Sequence, residues 1–204
     1  MQLNSQPLRT RIGETVLASV GRYVDMARGG GTWTTPESWM QHATALELKS
    51  KGFAVAIEVG PNEMAGYAGK RQRKAWARKR VDVAVYDKAK DPHGKYPQRG
   101  TTEVKKSLNC HRDAMRMRAI AKAFHPQIDS AQVVVSYQDT KAERLVNKFE
   151  ALAERLNAPA IKIAQPRKMI SSGRAYCAAM VAELLPPPLP SPARGGGSSI
   201  GAKD

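Results

Sequence analysis

The sequence has few cysteines, and they are not spaced as in a structural metal site. Cys110 and Cys177 lie far apart and belong to no CxxC motif or Cys/His cluster, which argues against zinc. The first residues, MQLNSQPLRT, lack the apolar segment of a secretory signal. A reducing cytoplasm is therefore the expected location.

Long apolar runs and a phosphate-binding glycine loop are also missing. No run approaches the length that a bilayer-spanning helix needs, and no basic helix shows a wide apolar face. The glycines of RGGG, residues 28–31, have neither the lysine nor the preceding strand of a GxxxxGK loop. The sequence therefore gives no sign of a membrane-spanning protein or of a P-loop nucleotide hydrolase.

Acidic residues are scarce beside basic ones. The chain has 204 residues, of which 18 are Asp or Glu and 33 are Lys or Arg, so its formal net charge is +15. An excess of this size indicates a polyanionic partner. DNA or RNA is favoured because phosphate neutralisation supplies most non-specific affinity, and an anionic membrane surface is the weaker alternative.

Hydrophobic periodicity predicts an α/β fold, with α+β as the alternative, in which helices cover a mixed central sheet. We expect one domain over residues 1–185, with a core at 36–138, and a disordered Pro/Gly/Ser-rich tail over 186–204. The patterns predict helices at 5–27, 36–51, 110–124, 140–156 and 173–185, and strands at 53–60, 80–87, 101–107, 131–138 and 160–164.

Three of the strands carry acidic side chains that we expect to converge. In GTTEVKKSLN, Glu103 and Lys105 are two residues apart and share a strand face, and Asp82 projects opposite the valines of RVDVAVYD. Antiparallel pairing would also bring Glu58, near the end of FAVAIEVG, close to Asp82. Clustered carboxylates favour a hard cation such as Mg²⁺, with Mn²⁺ a further candidate. The alternative is a solvated strand face with a chance Glu-x-Lys pair.

The segments RVDVAVYD and TEVKKS, followed by a helix and then AQVVVSYQ, resemble the PD-(D/E)xK nuclease superfamily. The resemblance implies the restriction-endonuclease-like αβββαβ core, here with an extra N-terminal helix and C-terminal helices. It implies an Mg²⁺-dependent deoxyribonuclease in which Asp82 and Glu103 bind the metal and Lys105 acts on the water. Similar enzymes often cut as dimers, so a homodimer is a possible assembly.

The resemblance leaves the family's additional acid open. Glu58 is favoured by hairpin geometry, Glu37 is second, and Glu47 is the third candidate. Glu37 also fits a purely structural role, because an acidic residue in a first helical turn is favoured by the helix dipole.

A strongly basic stretch, GKRQRKAWARKR, leads into the strand that carries Asp82. We expect it to grip phosphates, with Trp76 available to stack on a base. Arginines and a lysine on the helix 110–124 could extend this surface. The alternative is a solvated basic loop. The expected nucleic-acid-binding residues are Lys70, Arg71, Arg73, Lys74, Arg78, Lys79 and Arg80.

Two functions compete with a nuclease. One is a non-catalytic, basic nucleic-acid-binding protein on a decayed nuclease fold. The other is an assembly subunit whose basic surface meets an acidic protein. The sequence does not choose between DNA and RNA, or between endonuclease and exonuclease action.

Overall fold

The protein is described from a computed structural model that covers residues 2–3, 5–27, 35–60, 80–86, 98–123, 130–158, 160–168 and 175–185. Ten helices and strands lie in these ranges. The helices are α1 (Gln6–Met26), α2 (Glu37–Ser50), α3 (His111–Ala123) and α4 (Ala142–Arg155), and the strands are β1 (Ala54–Val59), β2 (Val81–Tyr86), β3 (Gln98–Lys105), β4 (Ser130–Asp139), β5 (Ala160–Lys168) and β6 (Tyr176–Glu183).

The six strands form one mixed sheet in the order β1-β2-β3-β4-β6-β5. β3 and β4 run parallel, and every other neighbouring pair is antiparallel. Helices α1 and α2 pack on one face, and α3 and α4 pack on the other. This arrangement confirms the expected α/β class with a mixed, helix-covered sheet.

Alternation along the strands divides the core into two layers. On β4, Val133 and Val135 pack toward α3 and α4, whereas Val134 packs toward α1 and α2. Because both faces are covered, β4 is apolar over successive residues rather than every second one. The hydrophobic effect therefore fixes the sheet between two helical layers.

The helix predicted at 173–185 is wrong, because these residues form β6 between β4 and β5. Alanine, methionine and leucine dominate YCAAMVAE and the residues after it, and all three favour helices. Seven of the eight residues of β6 are buried, so no alternation marks it as a strand. Periodicity cannot separate such a doubly buried strand from a helix. Of the two helices expected at the C-terminal end, only α4 is present in the described ranges.

Some expectations concern residues outside these ranges. The tail over 186–204 and most of the basic stretch, up to residue 79, lie there. None of the helices in the described part combines the length and apolar character needed to cross a membrane.

Candidate active site

Lys105, the last residue of β3, is half-buried among carboxylates from three other elements. Its Nζ lies 3.6 Å from Asp113 Oδ2, 3.8 Å from Glu37 Oε2 and 3.9 Å from Asp82 Oδ2. We call these four residues and Arg116 the Lys105 cluster. The contacts bring together β2, β3 and the first turns of α2 and α3.

Asp82 lies where β2 and β3 separate. The registered pairing of these strands ends at Val83 and Thr102. Beyond that pair, Asp82 Oδ2 accepts a hydrogen bond of 2.7 Å from the backbone N–H of Val104. The residue is only 8% exposed, and a buried carboxylate needs such a donor. The strand fork therefore holds the carboxylate beside Lys105.

Glu37 reaches Lys105 from the side of the sheet on which α2 packs, opposite to the side of α3 and Asp113. It is the first residue of α2, where the positive end of the helix dipole favours an acidic side chain. Its Oε1 accepts a 3.3 Å hydrogen bond from the backbone N–H of Lys106, while Oε2 faces Lys105. Glu37 thus closes the sheet end from the α2 side.

Asp113, in the first turn of α3, was not among the residues predicted from sequence. Besides Lys105 it contacts Arg116, whose Nη2 lies 3.5 Å from Asp113 Oδ1 one turn along the helix. The available signal was proximity: α3 begins six residues after Lys105, so an acid in its first turn lies close to the end of β3. The helix dipole favours an acidic residue in a first turn whatever the function, so Asp113 was not recognised as a site residue from the sequence.

The cluster carries an excess of negative charge. At formal charges, Glu37, Asp82 and Asp113 outnumber Lys105 and Arg116 by one. Among the described side chains, no three acids, histidines or cysteines form a ready-made ligand set for a metal ion. The backbone of Glu103 is registered with Val133 of β4, but its side chain lies outside the described part of the structure.

The structure corrects the expected orientation of β1 near Glu58. Glu58 is exposed and has a left-handed backbone with φ of 56°, a conformation that non-glycine residues rarely adopt. The irregularity reverses the strand faces: Ile57 packs toward α1 and α2, whereas Val59 packs on the opposite side. Regular alternation along FAVAIEVG places Ile57 and Val59 on the same face, and the structure places them on opposite faces.

The Glu58 side chain points to α2 rather than to Lys105. Its Oε1 accepts a 3.2 Å hydrogen bond from Gln41 Nε2, one helical turn beyond Glu37. In register, Glu58 lies opposite Asp82, between the pairs Ile57–Val83 and Val59–Val81. Of the candidate acids, Glu37 rather than Glu58 is the one in contact with Lys105.

The third candidate acid, Glu47, serves the contact between α1 and α2. Its carboxylate accepts a 3.1 Å hydrogen bond from Thr15 and lies 3.7 Å from both Arg11 and Lys51. These partners account for its position without a role at the Lys105 cluster.

The basic residues of the stretch 69–80 and of α3, which were expected to contact nucleic acid, are placed differently. Lys70, Arg71, Arg73, Lys74, Arg78 and Lys79 lie outside the described ranges, and Arg80 is exposed immediately before β2. On α3, Arg112 and Lys122 are exposed. Arg118, expected on the basic surface, instead donates hydrogen bonds to the carbonyls of Leu156, Asn157 and Leu184, so it ties α3 to the ends of α4 and β6.

Cys110, between β3 and α3, is not suited to act as a nucleophile. Burial raises the pKa of its thiol to about 11, and the negative charge of Asp113 acts in the same direction. A thiol in this environment stays protonated at neutral pH and is chemically inert. The reactive groups at this end of the sheet are therefore carboxylates and an amine.

Comparison of the chain with protein-family models, with curated proteins and with solved structures finds no match.

Proposed function

We propose that the chain is an Mg²⁺-dependent deoxyribonuclease of the PD-(D/E)xK type with a restriction-endonuclease-like core. The observation that supports this proposal best is the contact of Lys105 with Asp82 and Glu37 at the β2–β3 fork. The order α2-β1-β2-β3-α3-β4, with β1 to β3 antiparallel, agrees with it. The resemblance of RVDVAVYD and TEVKKS to that family supplies the roles.

A hard divalent cation is the ion that carboxylates at the β2–β3 fork would take, and the described side chains alone do not form a three-ligand set for it. The candidate ligands are carboxylate oxygens, which Mg²⁺ and Mn²⁺ prefer, and the excess negative charge would be compensated by a cation. The Asp82 contacts with Val104 and Lys105 both use Oδ2, so Oδ1 is the oxygen that we assign to a cation. Asp82 and Glu103 would hold the ion, with Glu37 as the additional acid.

A bound Mg²⁺ would polarise a phosphate oxygen and activate a water molecule. The chain's own groups would do the remaining work. The Val104 N–H fixes the Asp82 carboxylate, and Glu37 and Asp113 position the Lys105 amine. Lys105 would orient the attacking water and stabilise the negative charge that develops on the phosphate.

The substrate is inferred from charge. With a formal net charge of +15, the chain attracts nucleic acid over several ångströms before any specific contact forms. DNA is our proposed substrate, and the same assay on RNA separates the two polymers.

The test is DNA cleavage in Mg²⁺ by the wild type and by Asp82→Asn and Lys105→Ala variants. We expect each substitution to lower the cleavage rate at least about a hundredfold, since removing one charge-stabilising group costs that much in other enzymes. EDTA should abolish cleavage by the wild type. Asp25→Asn and Lys49→Ala make the same chemical changes at exposed positions and should cleave like the wild type.

Two results would contradict the proposal. Undiminished cleavage by both Asp82→Asn and Lys105→Ala would remove the catalytic assignment. Tight DNA binding by the wild type without cleavage in Mg²⁺ or Mn²⁺ would favour the non-catalytic binding protein. Thermal unfolding of each variant checks that a lower activity does not come from an unfolded chain.

A further inference from the structure

A pocket lies next to the Lys105 cluster, at the carboxyl ends of the parallel strands β3 and β4. It has a volume of about 390 Å³ and is lined by Ser107, Leu108, Asn109, Tyr137 and Arg155. We call it the Arg155 pocket. Carboxyl ends of neighbouring parallel strands are a preferred position for ligands in α/β folds, and this volume lies within the range of small-molecule sites.

The register of the sheet places the Arg155 pocket next to the proposed chemistry. Lys105 pairs with Val135 of β4, and Tyr137 lies two residues farther on the same strand face, about 7 Å along the strand. Ser107, Leu108 and Asn109 connect Lys105 to α3. Lys105, Asp113 and Arg155 are all near enough to Cys110 for their charges to influence the pKa of its thiol.

Arg155 is the cation of this pocket. It is exposed, near the end of α4, and forms no ion pair or hydrogen bond with any other residue that the structure describes. Nearby basic groups are already engaged: Arg116 with Asp113, Arg118 with backbone carbonyls and Lys148 with Asp139. A guanidinium that no described residue engages, in a pocket also lined by Ser107 and Asn109, is suited to a phosphate.

Tyr137 gives the same pocket an aromatic wall. Lys148 Nζ lies 5.3 Å from the centre of the Tyr137 ring, a cation–π contact that restrains the ring. Lys148 is itself held by Asp139. A restrained aromatic ring beside an unengaged guanidinium matches the two parts of a nucleotide, because bases stack on aromatic faces and phosphates bind arginine.

We propose that the Arg155 pocket binds the nucleotide adjacent to the phosphate that is cleaved, with Arg155 on its phosphate and Tyr137 against its base. This inference rests on the proposed nuclease function. The ligand is a single-stranded or unpaired DNA segment, since a base within a duplex is not available for stacking on a side chain. Ser107 and Asn109 would supply additional polar contacts to the phosphate.

The test is binding of a fluorescently labelled single-stranded DNA oligonucleotide, measured without divalent cation so that cleavage plays no part. Arg155→Ala should weaken binding about tenfold, as expected when one charge-assisted hydrogen bond is removed. It should also reduce the slope of log Kd against log salt by about 0.7 units, the value for one phosphate of a single strand. Arg144→Ala is the matched control: it lies exposed on the same helix, three turns and about 16 Å away. It should change affinity less than about twofold.

Tyr137 is tested by two substitutions. Tyr137→Phe keeps the ring and should bind within about twofold of the wild type, whereas Tyr137→Leu should bind at least about fivefold more weakly. Equal weakening by Phe and Leu, or equal weakening by Arg155→Ala and Arg144→Ala, would overturn the proposal. Circular dichroism and thermal unfolding of each variant establish that the fold is intact.

Kinetics separate this inference from the function on which it rests. If the wild type cleaves DNA, Arg155→Ala should raise KM about tenfold and leave kcat within about twofold, as loss of uniform binding does. Cleavage that depends on Asp82 with no effect of Arg155→Ala would keep the nuclease and reject the pocket. Arg155-dependent binding with no cleavage would keep the pocket and reject the nuclease.

Discussion

Glu183, the last residue of β6, carries a carboxylate that is almost fully buried. It accepts hydrogen bonds from Ser130 Oγ and from the backbone N–H groups of Ala131 and Leu185. Burial raises the pKa of Glu183, and these hydrogen bonds oppose part of the rise. The residue therefore ties β6 to the start of β4 at an electrostatic cost that depends on pH.

The sign of that dependence follows from the raised pKa. The folded chain binds the proton of Glu183 more tightly than the unfolded chain, so protonation of Glu183 stabilises the fold. This contribution is complete below the unfolded pKa of about 4.3 and is lost as the pH rises through the pKa of Glu183 in the folded chain. Glu183→Gln removes the titration. We expect the free energy of unfolding of the wild type, relative to this variant, to fall as the pH rises above about 4.3.

Urea unfolding at a series of pH values measures this difference. Glu143→Gln, an exposed change on α4, should differ from the wild type by an amount that is small at every pH. A gap between wild type and Glu183→Gln that stays constant, or that grows in favour of the wild type with pH, would show that burial does not control this carboxyl.

Single residues also show how far the sequence pattern predicts the contacts at the candidate site. Alternation placed Lys105 on one strand face, and the structure puts its ammonium beside Asp82. The choice of Glu58 over Glu37 failed to match the contact with Lys105, because the left-handed backbone at Glu58 interrupts the regular alternation. Asp113 was missed because an acid in a first helical turn is common for structural reasons, although α3 begins only six residues after Lys105.

Among the elements, α1 approaches the sheet closely at a small residue, Gly13. A Cβ atom at Gly13 would lie 3.4 Å from Ala164 Cβ and 3.7 Å from Val181 Cγ2. Gly21, two turns along, has no neighbouring atom within 4 Å of the same position. One methyl group therefore fits at Gly13, and a larger side chain does not.

We predict opposite outcomes for two substitutions at Gly13. Gly13→Ala should stabilise the protein by up to about 1 kcal/mol, as Gly21→Ala should, because alanine favours the helix. Gly13→Leu should destabilise it by about 1–3 kcal/mol through overpacking against β5 and β6. Urea midpoints with unchanged m-values measure both. If Gly13→Leu were as stable as Gly13→Ala, the close helix–sheet contact would be absent.

The helices and strands differ in how clearly their sequences predict them. α4 was predicted at 140–156 and is found at Ala142–Arg155, because only one stripe of it is buried. β2 was predicted at 80–87 from the alternating valines of its sequence and is found at Val81–Tyr86, but its valines do not share one face: Val81 packs toward α3 and α4, whereas Val83 and Val85 pack toward α1 and α2. β6 was not, because burial on both faces removed the alternation and alanine-rich composition favoured a helix. Its identity as a strand comes from its neighbours β4 and β5.

For the molecule as a whole, the basic charge is concentrated in one segment of the chain. The stretch 69–80 contains seven of the 33 lysines and arginines and no acidic residue. It leads directly into β2, whose second residue is Asp82. If this stretch grips the phosphates of the substrate, it should account for much of the salt dependence of DNA binding.

A charge-matched comparison tests this. Replacing Lys70, Arg71, Arg73 and Lys74 with glutamine should lower the slope of log Kd against log salt by up to about 3.6 units on duplex DNA, at about 0.9 for each phosphate that the variant no longer neutralises. The control replaces four exposed basic residues elsewhere with glutamine: Lys49, Arg144, Arg167 and Lys168. It removes the same net charge at positions away from the basic stretch, so the slope should change far less. Equal slopes in the two variants would assign the affinity to net charge alone, and a slope near zero in the wild type would favour an acidic protein partner over nucleic acid.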